Sequence, residues 1–187
     1  MVTSLELPEG LPVPQDDGGA DHLRGMYMPR VELPATSGEI LDMARFPGRT
    51  VLYVYPMTGR PDRALPDGWD EIPGARGCTP QSCSFRDHFQ ELKDLGVSQV
   101  YGLSTQDTDY QREAKERLHL PFELISDAAF KLGDIMRLPY FEVDGVRLFK
   151  RMALILDDAR IRHVFYPVFP PDRNAGDVIA WLKENAG

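Results

Sequence analysis

The chain has 187 residues, 42% of them hydrophobic and 27% charged, which is the composition of a folded globular domain and excludes a disordered, collagenous or coiled-coil chain. With 21 Lys and Arg against 29 Asp and Glu the net charge is −8, the wrong sign for attraction to nucleic acid or anionic lipid, so no nucleic acid and no membrane partner is expected. No apolar run approaches membrane-spanning length, and the first residues lack the basic start and apolar stretch of a secretory signal, which makes the cytoplasm the expected address.

Residues 1–26 are rich in Pro, Gly and Asp without an apolar period and read as an extended arm ahead of one domain over 27–187. The run 50–55 (TVLYVY) is β-branched, aromatic and closed by Pro56, as expected of a strand buried on both faces of a sheet. A long irregular loop follows at about 57–77, with four Gly and three Pro in 21 positions. Phe85, Phe89 and Leu92 then recur at helical spacing, Pro80 suits a first helical position, and Gly96 ends a helix predicted over 80–95. A strand at 99–104, a helix at 108–118 with a capping box from Thr108 to Gln111, and a strand at 122–125 continue the alternation. Residues 151–156 and 161–165 flank a short polar link and read as an antiparallel hairpin, and a last helix over 175–185 buries Val178, Ile179 and Leu182. This order is that of an α/β chain with a thioredoxin-like fold, a central mixed sheet with helices on both faces.

The two cysteines are too few for a disulfide scaffold, and a close pair in a reducing compartment points to redox chemistry or metal. They stand in Gly77-Cys78-Thr79-Pro80-Gln81-Ser82-Cys83. Cys78 falls at a helix N-terminus, where free N–H groups and the positive end of the macrodipole favour a thiolate, the nucleophilic form. Arg76 is close enough in sequence to add to this, and the preceding loop is expected to leave Cys78 little apolar cover. Cys83 lies inside the helix, and an ideal helix holds Cα atoms five residues apart at roughly 8 to 9 Å. A disulfide needs less than about 7 Å, so if the two cysteines join, the first turns of the helix must unwind. Read alone, Cys83 is equally well a small buried helix residue. The spacing is not that of a zinc site, the four histidines show no ligand pattern, and no metal or cofactor is expected.

At these residues the chain resembles the peroxiredoxins, specifically the Q type, also called bacterioferritin comigratory proteins. The likeness covers about 27–185. It rests on Tyr53-Val54-Tyr55-Pro56, on the segment from Gly77 to Asp87, on Lys150-Arg151-Met152-Ala153-Leu154-Ile155-Leu156-Asp157, and on the helix from Val178 to Asn185. The resemblance implies that Cys78 is the peroxidatic cysteine, attacking the O–O bond of hydrogen peroxide or an alkyl hydroperoxide to give a sulfenic acid. It implies that Cys83 is the resolving cysteine, closing an intramolecular disulfide that thioredoxin or a similar dithiol reduces. It implies that Arg151 holds the thiolate and the peroxide oxygens through its fixed fork of donors. The chain departs from the family at one point. The family sets a threonine three residues before the cysteine, where this chain has Ala75, and Pro56 lies 22 residues before Cys78, so the loop reads as an insertion. Thr58 is the candidate for the missing hydroxyl, with Thr79 or a backbone N–H as the substitutes if it does not reach. Trp69 and Ile72 are the insertion's bulky residues, suited to cover the site, contact a partner or anchor the loop.

The expected activity is a thiol-dependent peroxidase of the atypical two-cysteine type, a monomer or weak dimer. The alternative is a non-catalytic thioredoxin-fold redox sensor or binding module whose insertion docks a partner. A protein disulfide reductase is disfavoured by the absence of a C-x-x-C motif.

Overall fold

Strand β3 (Arg49–Val54) lies at the centre of a five-stranded sheet, and its position explains why its sequence is apolar from Val51 onward. The computed structural model describes residues 6–186. Two short strands, β1 (Glu32–Pro34) and β2 (Ile40–Asp42), precede it as a separate antiparallel hairpin. After the insertion come α1 (Cys78–Asp87), α2 (Phe89–Asp94), β4 (Val97–Ser104), α3 (Thr108–Leu118) and β5 (Glu123–Ser126). Helix α4 (Lys131–Met136), the hairpin β6 (Tyr140–Val143) and β7 (Val146–Phe149), β8 (Met152–Asp157), β9 (Arg160–Phe165) and α5 (Asn174–Glu184) complete the chain. The sheet order is β5-β4-β3-β8-β9, with β3 parallel to β4 and antiparallel to β8. This is the mixed sheet of a thioredoxin-like fold.

Alternation along β3 feeds two cores. Val51, Tyr53 and Tyr55 turn toward α1 and α5, joining Phe85, Ile155 and Val178. Leu52 and Val54 turn the other way, to Leu132 and Met136 of α4, Phe149, and Leu23 from the N-terminal arm. Helices therefore cover both faces, and the arm covers part of the second; Leu23 is fully buried although no strand or helix carries it. Tyr53 needs a neighbour without a side chain. A Cβ on Gly102, its partner in β4, would lie 2.7 Å from the Tyr53 ring and 2.6 Å from Leu124.

Three predicted details change. The helix expected over 80–95 is two helices broken at His88, whose ring Nδ1 lies 2.9 Å from the carbonyl oxygen of Ser84, a local contact that competes with regular helix continuation. The cap of α3 is Asp107, whose carboxylate accepts from Tyr110 N at 2.8 Å, so the cap falls one residue before the box expected from Thr108. The loop at 57–77 is structured, with a single 3-10 turn at Trp69–Glu71. Trp69 is buried with Ala75 and Leu148, and Met57, Leu65, Ile72, Phe141 and Val143 pack around them, so this loop has a small core of its own against the β6–β7 hairpin.

Candidate active site

Gly77 opens the site. It caps α1 at φ 110°, in the left-handed region that favours glycine, and a Cβ there would lie 2.6 Å from Pro171 and 2.9 Å from Leu7. The chain can turn into the helix at this point only without a side chain, and the turn delivers Cys78 as the first residue of α1. Both cysteines are free thiols, and both stand in the same regular helix.

Arg151 enters from the residue just before β8. It is 3% exposed, and its Nη2 lies 3.2 Å from Cys78 Sγ. The same nitrogen reaches the carbonyl oxygens of Gly74, Ala75 and Arg76 at 3.2, 3.0 and 3.2 Å. Its Nη1 donates to Gln81 Oε1 at 2.5 Å. A second donor reaches the sulfur from the insertion, Met57 N at 3.4 Å. The structure thus brings Arg151 to Cys78, while Cys83 lies five residues along the same helix.

Thr58 follows the Met57 donor by one residue, but its hydroxyl donates to Gln106 Oε1 at 3.2 Å, and Gln106 Oε1 also accepts Thr58 N at 3.0 Å. Tyr110 closes this knot by donating to Thr58 O at 2.9 Å. The hydroxyl expected at the sulfur is therefore committed to α3's N-terminal side. Arg76 is not at the sulfur either; its Nη1 pairs with Asp70 at 2.9 Å on the insertion's surface.

The expectation that Cys78 lacks apolar cover is corrected. It is 3% exposed, in a setting shared with Leu7, Met57, Leu65 and Trp69. A cavity of about 230 Å³ remains above it, lined by Leu7 of the arm, by Met57, Leu65 and Trp69, and by Arg60 and Arg63. On the other side, Arg151 borders a cavity of about 400 Å³ walled by Val13, Pro14, Ile72, Phe141 and Val168. Burial pushes the Cys83 thiol above its ordinary range, with the Asp87 carboxylate acting in the same direction and Arg86 opposing. Arg86 itself pairs with Asp87 at 2.8 Å and caps Leu118 O at 2.8 Å, a structural tie between α1 and α3.

Sequence reasoning missed Gln81 and Gln106 as parts of the site. Gln81 sits two residues before Cys83 on a helix already placed, but its role needs the long-range approach of Arg151, which no local signal carries.

A mixed five-stranded sheet with a cysteine opening the helix after its central strand, faced by a buried arginine, defines a thioredoxin-fold thiol protein. The Redoxin family model matches residues 23–179. Peroxiredoxin Bcp of Escherichia coli K12 is 31% identical over 172 residues, covering 87% of this chain and 96% of that protein. Chloroplastic peroxiredoxin Q of Oryza sativa subsp. japonica is 29% identical over 162 residues, and the match takes in 86% of this chain and 66% of the rice protein's length. The crystal structure of peroxidoxin BcpB from Mycobacterium tuberculosis superposes with a TM-score of 0.70 at 24% identity, over 88% of this chain and 98% of that one. The chain belongs to the redoxin family, among the Q-type or Bcp peroxiredoxins. Among the described residues no helix is long and apolar enough to cross a membrane.

Proposed function

We propose that this chain is a thiol-dependent peroxidase that reduces hydrogen peroxide and organic hydroperoxides at Cys78 and resolves through Cys83. The observation that carries the reading is the 3.2 Å contact between Arg151 Nη2 and Cys78 Sγ, with the second thiol one and a half turns along the same helix.

The sulfur's electron pair attacks one peroxide oxygen as the O–O bond breaks. The departing oxygen takes the bond's electrons and a proton and leaves as water or an alcohol, and Cys78 becomes a sulfenic acid. Charge moves from sulfur to the leaving oxygen in this step, and a fixed guanidinium beside both atoms stabilises it without reorganising. Met57 N–H takes the part of the second donor, the place in which the family has a threonine. Thr58 acts one step removed, holding the Met57 turn through Gln106. Cys83 then attacks the sulfenic sulfur, the S–O bond breaks, and water leaves. Because both cysteines are helical, this second step needs α1 to unwind, and the buried, high-range thiol of Cys83 becomes reactive as it opens. Thioredoxin or another dithiol of a reducing cytoplasm returns two electrons and restores both thiols.

The test is the reduced protein with one equivalent of hydrogen peroxide, followed by intact mass and thiol count. Loss of about two mass units and of both thiols, with turnover coupled to thioredoxin, supports the reading. An unchanged mass with both thiols titratable overturns it.

A further inference from the structure

A buried row of side-chain amides runs from the start of α5 to the thiol. Asn174, the first residue of α5, is 1% exposed, and Gln81 is fully buried. Gln81 Nε2 donates to Asn174 Oδ1 at 2.9 Å, and Gln81 Oε1 accepts from Arg151 Nη1 at 2.5 Å. Arg151 Nη2 then reaches Cys78 Sγ. Among the described residues two donors in this row, Asn174 Nδ2 and Arg151 Nε, have no partner, so the side-chain contacts through Gln81 are what join Asn174 to Arg151.

We propose that Asn174 is a positioning residue for the Cys78 reaction, fixing the orientation of the Gln81 amide and through it the guanidinium of Arg151. The proposal rests on the reading of Cys78 as the reacting thiol. The two ends of a glutamine amide have the same shape and opposite polarity. A guanidinium carries donors only, so Gln81 serves Arg151 only with its oxygen. Asn174 Oδ1 satisfies the other end, accepting from Nε2. With both ends satisfied, the orientation that serves Arg151 is the one the buried amide keeps. Removing Oδ1 leaves Nε2 a buried donor without an acceptor, and the amide is relieved by turning or by shifting away from Arg151. The guanidinium then loses its Nη1 tether and is left with the three carbonyl contacts of Nη2, so the plane of the fork, and with it the angle at which Nη2 meets the sulfur, is less tightly set.

Gln81 also lies between the two cysteines, on the turns that must unwind to join them. Opening α1 breaks the contacts to Asn174 and Arg151 together. The contact that speeds the first step therefore holds back the second, and its loss has opposite signs on the two rates.

The experiment measures, by stopped flow, Cys78 oxidation by hydrogen peroxide and the subsequent disulfide closure, in the parent and in Asn174→Ala, Asn174→Asp, Gln81→Leu and the Gln81→Leu/Asn174→Ala double variant. Asn174→Ala should slow oxidation about tenfold, the equivalent of roughly 1.4 kcal/mol in the barrier, and hasten closure. Asn174→Asp keeps the acceptor and should stay within about threefold of the parent, a rescue that a packing defect does not explain. In the Gln81→Leu background Asn174→Ala should add no further loss. Should that background fail to fold, the comparison of alanine with aspartate decides alone. Additive losses, or aspartate no better than alanine, overturn the proposal while the peroxidase reading stands. A parent that leaves peroxide unreacted overturns the peroxidase reading, and this proposal with it.

Discussion

The guanidinium of Arg151 is buried against the sulfur of Cys78, and no carboxylate among the described residues pairs with it. A buried cation without a counter-charge is costly, and of the groups around Arg151, three carbonyls, an amide oxygen and a thiol, only the thiol can take on negative charge. Arg151 therefore sits where its outer nitrogen can meet charge that develops at the sulfur during a reaction.

Arg151→Lys tests that relation directly. A lysine keeps the charge but replaces the planar fork with a single point charge, so the two-nitrogen span from Gln81 to the sulfur is lost. The second-order rate of Cys78 oxidation should fall about 10²- to 10³-fold, the scale on which an aligned donor to developing charge contributes. Stopped-flow competition for hydrogen peroxide reads it, and a lysine variant as fast as the parent would show that the fork geometry is irrelevant.

Ala75→Thr restores the residue type that the family carries three positions before the cysteine. Ala75 is fully buried, in the small core of Trp69 and Leu148, and its carbonyl already accepts from Arg151. Two further heavy atoms must displace that packing, so the substitution should destabilise the protein by about 1–3 kcal/mol instead of speeding the reaction. Urea melts give the first quantity and peroxide kinetics the second; a faster enzyme of unchanged stability contradicts the packing.

Much of this site is written in short stretches of sequence. The apolar run of β3, the Gly77 turn and the cysteine at the head of α1 are local features, and their physical signals are local as well. The role of Met57 N–H is different: it depends on how a long insertion returns to the sulfur, which Gly and Pro content does not specify. The insertion's order was hidden for a related reason. Its core borrows Leu148 and Phe141 from the β6–β7 hairpin, itself overlooked although Asp144 and Gly145, at φ 52° and 76°, form the two-residue turn that an Asp-Gly pair between apolar runs signals. Helix α4 also had a readable start, with Asp127 accepting from Lys131 N and Gly133 N at 2.7 and 2.9 Å.

Trp69→Ala removes the centre of the insertion's core. Because the same segment covers Cys78, lost packing should appear at the thiol as well as in stability. A buried Trp-to-Ala change costs roughly 3–5 kcal/mol in a main core. Here much of that loss should be local: hydrogen exchange should rise across 57–77 while the β3, β4 and β8 amides stay protected. In a Cys83→Ser background, alkylation of Cys78 by iodoacetamide should quicken by about tenfold or more as the cover opens. An unchanged alkylation rate would mean the insertion does not limit access.

The pH dependence of resolution follows from Cys83. Burial raises its thiol pKa above the ordinary value of 9.0 in the folded state, so the folded helix retains a proton that the opened helix gives up once pH exceeds that value. The folded state then binds more protons than the open one, and its stability relative to opening is fully present below the ordinary thiol pKa and is lost as pH rises toward the folded one. Opening of α1 should therefore grow between the two values, and disulfide closure should accelerate over that window beyond what the thiolate fraction of an exposed cysteine gives. Hydrogen exchange of α1 amides in the reduced protein, corrected for the intrinsic pH dependence of exchange, reads the opening without any peroxide. Cys83→Ser, which has no proton to lose there, should flatten the corrected profile; a slope that survives the substitution would assign the effect to another group.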